Sequence, residues 1–301
     1  MEFIWTVYMK KLFSLLIVML ILVSVCGCAK QESVQIATTT LPVYEFTSRI
    51  CEDTGLSVGR LVTESVSCLH DYSLQVSQMR MIEGADVIVI SGGGLEDFLG
   101  DALHTQSVID ASLGLELICP QGSHDHHNDN DHGHHHETDP HYWLSPAYVK
   151  TMAQNICDNL CKLYPQHERT FLENTDNLIL ELEALQSYGK QTLAQLSCRK
   201  LITFHDGFAY FADSFGLTIE KAIEEESGQE ASAAELKELI ELVNKHQLPA
   251  VFTERNGSVS AAEVIAAETG CKLYALDMAM SGDSYFTAMY HNIDTIKEAL
   301  G

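Results

Sequence analysis

Positive charge is scarce in this chain. Its 301 residues include 18 lysines and arginines against 42 aspartates and glutamates, so the formal net charge is -24 at pH 7. A surface of that sign repels nucleic-acid phosphates and anionic lipid headgroups, whereas it attracts cations. We therefore expect no nucleic-acid partner, and the 46% hydrophobic content indicates a globular protein.

The motifs that bind nucleotide phosphates are also missing. A glycine run, Gly92-Gly93-Gly94, follows an apolar segment, but the residues up to Glu96 do not fit G-x-G-x-x-G, and no Walker lysine follows. We interpret the run as a tight turn between a strand and a helix that starts at Leu95-Glu96. The chain contains no P-loop of its own.

No apolar run is long enough to span a bilayer. The N-terminal run from Leu12 to Val25 falls short of the roughly 20 residues required and fits the ~7–15 residues of a signal-peptide core. Gly27 before Cys28 resembles the bacterial lipobox, in which the cysteine becomes the acylated first residue. We predict that residues 1–28 are an export signal and that Cys28 anchors an extracytoplasmic protein to the cell membrane. A plain secretion signal or an uncleaved anchor is the alternative.

Cysteines are scattered rather than clustered. Seven remain after Cys28, in a chain long enough to have a real core, which is unlike a small disulfide scaffold. Cys157 and Cys161 lie four residues apart on a predicted helix, where they could ligate a metal or pack in the core. We favour packing.

From Val34 onward, apolar strands alternate with helices, as in an α/β fold. The run Ala85 to Ile90 is apolar except for Asp86, which is typical of a strand buried on both faces of a parallel sheet. Another strand is predicted near Leu115 to Cys119. The chain is too long for one small core, so we predict two βα-sandwich halves.

One long helix is predicted between the halves, from Gln166 to Leu196. No proline interrupts it, and apolar residues such as Phe171 and Leu178 recur at helical spacing. About thirty residues at ~1.5 Å each reach roughly 45 Å, which indicates a rigid spacer across two domains. We predict an N-terminal lobe at 34–165 with a histidine-rich loop at 123–138, a linking helix at 166–197 and a C-terminal lobe at 198–301.

Histidine is abundant in one tract. Seven of the 14 histidines are interleaved there with aspartate and asparagine, and nothing in the tract could build a hydrophobic core. Imidazole is the commonest protein ligand for zinc. We expect weak, multiple and exchangeable metal binding at His124, His126, His127, His132, His134, His135 and His136.

Four other residues form a candidate site with defined geometry. They lie at or just past predicted strand ends, or in a loop, and two come from each half: His70, His141, His205 and Asp277. Ligands in open α/β sheets collect beyond the carboxyl ends of the strands. Three imidazoles and one carboxylate suit a four-coordinate Zn²⁺.

Several segments resemble the ZnuA-type solute-binding lipoproteins of zinc and manganese ABC importers. Residues 139–146 resemble the family's D-P-H-x-W-x-x-P, which is a specific signature. Weaker likenesses cover nearly all of the mature chain: P-H-x-Y at 70–72, A-D-V-I-V-x-x-G-x-x-L-E at 85–96, H-D-x-F-x-Y at 205–210, E-x-S/P-A-x-x-L at 230–236 and L-D…Y at 276–285.

The resemblance implies a single helix joining two lobes with the metal at their interface. It places the family's ligands on the same four residues, and it implies a permease and its ATPase as partners, a monomeric receptor and no enzymatic activity. Two features depart from the pattern or stay open: Leu69 replaces the usual proline before His70, and Glu64 could support the first ligand.

Zinc is the predicted cargo. His205 stands where manganese-specific relatives often have a glutamate, and Mn²⁺ prefers more oxygen ligands. In the family, a His/Asp-rich insert also accompanies zinc proteins. The alternatives are a surface adhesin or metal buffer of the same fold, a manganese receptor and a zinc hydrolase. We interpret Glu224-Glu225-Glu226 as solvated charge rather than a second site.

Overall fold

The computed structural model describes residues 34–64, 69, 72–119, 138–223 and 231–301. Four sets of predictions lie outside these residues: the signal region with Cys28, the ligand His70, the histidine tract at 124–136 and the acidic run at 224–226. Among the described residues, no helix has both the length and the apolar character that a membrane span requires.

A four-stranded parallel sheet forms the first half, in the order β2-β1-β3-β4. Its central strand β3 has the sequence Val-Ile-Val-Ile and is buried throughout, as the unbroken apolar run predicts. The strands are β1 (Ile36–Thr38), β2 (Val58–Arg60), β3 (Val87–Ile90) and β4 (Val108–Asp110). The helices are α1 (Leu41–Ile50), α2 (Val76–Gly84) and α3 (Ala102–Thr105).

The second half repeats this arrangement with a parallel sheet in the order β6-β5-β7-β8. Its strands are β5 (Lys200–Thr203), β6 (Thr218–Ala222), β7 (Ala250–Glu254) and β8 (Lys272–Leu276). Its helices are α6 (Ala209–Phe215), α7 (Ala233–His246), α8 (Ser260–Thr269) and α9 (Tyr285–Leu300). The prediction of two α/β halves is confirmed.

Two helices connect the halves: α4 (Pro146–Leu163) and, after a 3-10 turn, α5 (Glu168–Thr192). At about 1.5 Å per residue, the 25 residues of α5 span roughly 38 Å. Its apolar stripe is buried, and the helix packs against α1 and α4 on one side and α6 and α9 on the other. The long helix is confirmed, whereas the lobe boundaries stay predictions because residues 34–301 form one compact unit.

A close contact explains the glycine in α5. A Cβ at Gly189 would lie 2.2 Å from Cε1 of Phe215, so only glycine lets α5 approach α6 so closely. Other helix ends follow local sequence rules. Ser232 and Glu235 form a capping box that starts α7, and Gly216 ends α6 with a positive φ of 66°.

Two predicted elements in the first half differ from the structure. The helix predicted to start at Leu95-Glu96 is only a short 3-10 helix, Asp97–Leu99, because the buried Glu96 side chain accepts hydrogen bonds from the amides of Ser91 and Gly92 and holds the preceding residues in a turn. Residues 115–119 form no strand, since the Ile118 amide donates to the Tyr210 hydroxyl rather than to a neighbouring strand. The fourth strand is instead β4, which has only three residues.

The described cysteines are all free. Cys157 is buried in the core, and its Sγ lies 4.0 Å from Sγ of Cys161. Burial raises the pKa of the Cys161 thiol to about 11 and that of Cys51 to about 12. The burial of Cys157 among apolar residues fits the core-packing interpretation.

Candidate metal centre

His141 is buried and is oriented by Asp139. The Asp139 Oδ1 atom lies 2.8 Å from the His141 Nδ1 and accepts a hydrogen bond from the His141 amide at 2.9 Å. The Tyr210 hydroxyl donates to the Asp139 carbonyl at 2.8 Å and ties this turn to α6. A carboxylate on Nδ1 favours the tautomer in which Nε2 carries the lone pair, as in many metal-ligating histidines.

His205 from the second half meets His141 from the first. His205 follows β5, and its Nε2 lies 3.3 Å from the Nε2 of His141. The two rings are perpendicular, with centroids 5.0 Å apart. Two nitrogens that are each ~2.0–2.1 Å from a tetrahedral zinc lie about 3.3 Å from one another. The pair therefore has the spacing of two zinc ligands.

Gly207 permits this approach. A Cβ at this position would lie 2.7 Å from Cδ2 of His205, 3.1 Å from Cγ of His141 and 2.5 Å from Cε of Met278. Any side chain would therefore have to displace the His205 imidazole and the end of Met278, and it would press against the His141 ring. The glycine in the His-Asp-Gly segment is required by packing around the two histidines.

Asp277 follows β8 and is held by its own turn and by α9. Its amide donates to the Asn292 Oδ1 at 2.7 Å, and the Asn292 Nδ2 donates to its carbonyl at 2.7 Å. Its Oδ1 accepts from the Ala279 amide at 2.8 Å, and its Oδ2 lies 3.2 Å from an Arg255 nitrogen. In the described part of the chain, no three His, Cys, Asp or Glu side chains are arranged to hold a metal ion.

The structure thus brings together two of the four predicted ligands. His141 and His205 are paired, Asp277 stands apart from them, and His70 lies outside the described residues. The full set of four ligands stays a prediction.

Glu254 is a buried acid that the sequence analysis missed. It ends β7, is 5% exposed, and its Oε1 lies 3.7 Å from the Nδ1 of His205. That oxygen has no hydrogen-bond partner among the described residues. Burial, with a smaller contribution from Asp277, raises the pKa of Glu254 to about 8. Its significance depends on burial beside His205, which no local pattern in the sequence reports.

The segment that follows Asp277 is attached to the first half. Three of its carbonyl groups accept hydrogen bonds there: Met278 from Trp143 Nε1 at 2.8 Å, Met280 from the Leu41 amide at 3.3 Å and Gly282 from Arg60 at 2.9 Å. The Glu45 carboxylate of α1 accepts from the Tyr285 amide at the start of α9. Asp277 is therefore positioned by both halves of the molecule.

Glu64 is hydrogen-bonded to residues close to it in the chain. It accepts a hydrogen bond from the Tyr72 hydroxyl at 2.8 Å and one from Gln75 at 3.0 Å. The hydrogen bond from Tyr72 is the main reason why the pKa of Glu64 lies below its ordinary value. A supporting role in the metal site stays a prediction, since the described contacts of Glu64 are with these nearby residues.

Comparisons with known proteins place the chain in one family. Residues 36–299 match the family model ZnuA, described as the periplasmic zinc-uptake complex component A. The chain is 30% identical over 312 residues to the zinc-binding lipoprotein AdcA of Streptococcus pneumoniae, covering 96% of this chain and 61% of AdcA. It therefore spans less than two thirds of that relative.

Other relatives match over nearly all of their length. The high-affinity zinc uptake system protein ZnuA of Bacillus subtilis is 28% identical over 304 residues, which cover 93% of this chain and 94% of that protein. A crystal structure of ZnuA superposes with a TM-score of 0.76 at 29% identity, over 90% of this chain and 100% of that one. The chain belongs to the ZnuA family of zinc-uptake components.

Proposed function

We propose that the protein is an extracytoplasmic receptor that binds Zn²⁺ at His70, His141, His205 and Asp277 and delivers it to an ABC importer. The observation that carries this proposal is the 3.3 Å separation between Nε2 of His141 and Nε2 of His205. Membership of a zinc-uptake family supports it. Members of this family are solute-binding receptors, and we propose that this chain likewise catalyses no reaction.

The donor atoms favour zinc over manganese. Two imidazole nitrogens face each other in a largely buried setting, and Mn²⁺ prefers a shell richer in oxygen. AdcA and ZnuA are named as zinc-binding or zinc-uptake proteins, which supports the same choice. Zn²⁺ is the transported cargo rather than a resident cofactor.

Zinc and protons compete for the nitrogens of the histidine pair. With Asp139 on Nδ1 of His141, the His141 Nε2 carries a lone pair, and Nε2–H of His205 can donate to it across 3.3 Å. A metal ion needs the lone pairs of both Nε2 atoms, so the Nε2 proton of a neutral His205 must move to its Nδ1, and any additional proton on either ring must leave. Protons therefore compete with zinc, and affinity falls as the pH drops through and below about 6.5, where free imidazole becomes protonated.

Transport requires partners, which we propose from the family. A permease receives the zinc, and a separate ATPase supplies the energy. The receptor is a monomer that is anchored to the cell membrane through a lipid on Cys28. The histidine tract at 124–136 collects zinc weakly near the site.

The test is a zinc titration of the purified protein against a competing chelator. The native protein is expected to hold one zinc tightly and further zinc weakly, and His141→Ala should remove the tight site. His104→Ala, which alters an exposed histidine on α3, is the matched control and should bind zinc like the native protein. If Mn²⁺ displaced Zn²⁺ at equilibrium, or if His141→Ala kept the tight site, the proposal would be wrong.

A further inference from the structure

Arg255 places a positive charge on a predicted zinc ligand. It is the first residue after β7, and its NH1 lies 3.2 Å from the Oδ2 of Asp277. The guanidinium side chain is 62% exposed, whereas the Asp277 side chain is 14% exposed. The arginine therefore covers the carboxylate from the solvent side, in a chain with only 18 lysines and arginines.

The backbone fixes this contact. The Arg255 amide donates to the Leu276 carbonyl at 2.8 Å, which extends the β7–β8 pairing by one residue. The next residue, Asn256, donates to the Ser281 hydroxyl at 3.3 Å. The turn after β7 is thus attached at two points to the segment that carries Asp277, and the guanidinium stays within reach of the carboxylate.

We propose that Arg255 tunes the zinc affinity of the site by competing with the cation for the Asp277 carboxylate. The proposal rests on the proposed function, in which Asp277 is a ligand. The Oδ1 of Asp277 already accepts the Ala279 amide, and its Oδ2 faces Arg255. A zinc ion on this carboxylate must share it with the arginine or displace it.

Charge repulsion sets the direction of the effect. With a Zn–O bond of ~2.0–2.2 Å, a zinc on Oδ2 would lie at most about 5.4 Å from the guanidinium nitrogen. Two cations at that distance repel each other, although the exposure of the arginine screens the repulsion. Arg255 thus weakens retention of zinc and speeds its release, which suits a receptor that must give up its cargo.

The test compares Arg255→Gln with Arg255→Lys. Removal of the charge is expected to tighten zinc binding about tenfold, mainly through slower dissociation when a chelator is added. The lysine variant keeps the charge and should stay close to the native protein. Arg169→Gln on α5 makes the same change in net charge at an exposed position and is the control, with no expected change.

Two further measurements separate this proposal from its rivals. The gain in Arg255→Gln should shrink at high salt, and it should be smaller when Asp277→Asn is also present, since the arginine then no longer competes with zinc for a charged carboxylate. Unchanged or weaker binding in Arg255→Gln would overturn the proposal, because weaker binding would mean that the arginine only holds Asp277 in place. If the native protein lacks a tight zinc site altogether, the proposed function has failed instead.

Discussion

Two buried glutamates, one in each half of the molecule, have opposite environments. Glu96 in the first half is 2% exposed and accepts hydrogen bonds from the Thr39 hydroxyl at 2.7 Å and from the Ser91 and Gly92 amides at 2.7 and 2.9 Å. Glu254 in the second half is 5% exposed, and its Oε1 has no hydrogen-bond partner among the described residues.

This difference shows how to tell a structural acid, a buried carboxylate that stabilises the fold, from a carboxylate that remains available to a binding site. Burial raises the pKa of Glu96 to about 7 and that of Glu254 to about 8, so neither the burial nor the shift distinguishes them. The two glutamates are distinguished by their hydrogen bonds. Glu96 fixes the glycine turn after β3, whereas Glu254 faces His205 and Asp277 with bonding capacity left over.

The largest expected effect is on the structural acid. Glu96→Ala leaves two buried amides and a hydroxyl without their acceptor, and it should lower the free energy of unfolding by about 3 kcal/mol. Urea denaturation measures this change, and Glu268→Ala, at an exposed position on α8, is the control. A loss of less than about 1 kcal/mol would break the comparison, since Glu96 would then not hold the turn.

Asp139 provides a second test of the comparison. Like Glu96 it accepts hydrogen bonds, but its partner is His141, a predicted zinc ligand. Asp139→Asn removes the charge that orients His141, and it should weaken zinc binding about 10- to 100-fold. Chelator competition measures the affinity. The matched control is Asp213→Asn, an exposed position on α6. Unchanged affinity would show that the His141 tautomer does not depend on Asp139.

At Glu254, removal of the charge should stabilise the protein. The folded pKa of about 8 lies above the ordinary value of 4.5, so the unfolded chain loses its proton first, and native stability falls as the pH rises from 4.5 to about 8. Without zinc, Glu254→Gln should therefore be more stable than the native protein by roughly 1–2 kcal/mol at pH 8 and closer to it at pH 5.

Chemical denaturation at the two pH values measures the Glu254 effect. A glutamine that destabilised the fold at pH 8 would contradict the assignment, because it would mean that the carboxylate is satisfied, as it is at Glu96.

Deletion of the histidine tract is expected to have the smallest effect on the tight zinc site. Deletion of residues 124–136 should leave one tightly bound zinc per chain and remove the weak, exchangeable binding. A titration that counts both classes of site measures this. If the tight site disappeared with the tract, the assignment of His141 and His205 would be wrong.

Part of the site could be predicted because its signals are local. His141 and His205 lie in short segments with specific neighbours, and His205 also follows from the rule that ligands gather at strand ends. Glu254 was missed because its significance depends on burial beside His205, which no local pattern reports. The mistaken strand at 115–119 has a similar cause, since an apolar run does not reveal whether a neighbouring strand is available to pair with it.

The sequence by itself determined the alternation of strands and helices, the long connecting helix, the family and the histidines that carry the metal hypothesis. These features rest on periodicity, caps and motifs, which act over a few residues. Only the tertiary structure decided that His141 meets His205 at 3.3 Å, that the buried Oε1 of Glu254 has no hydrogen-bond partner within the described part of the chain and that Arg255 covers Asp277. Those facts depend on how two sheets from distant parts of the chain pack together, because distance and burial are properties of that packing.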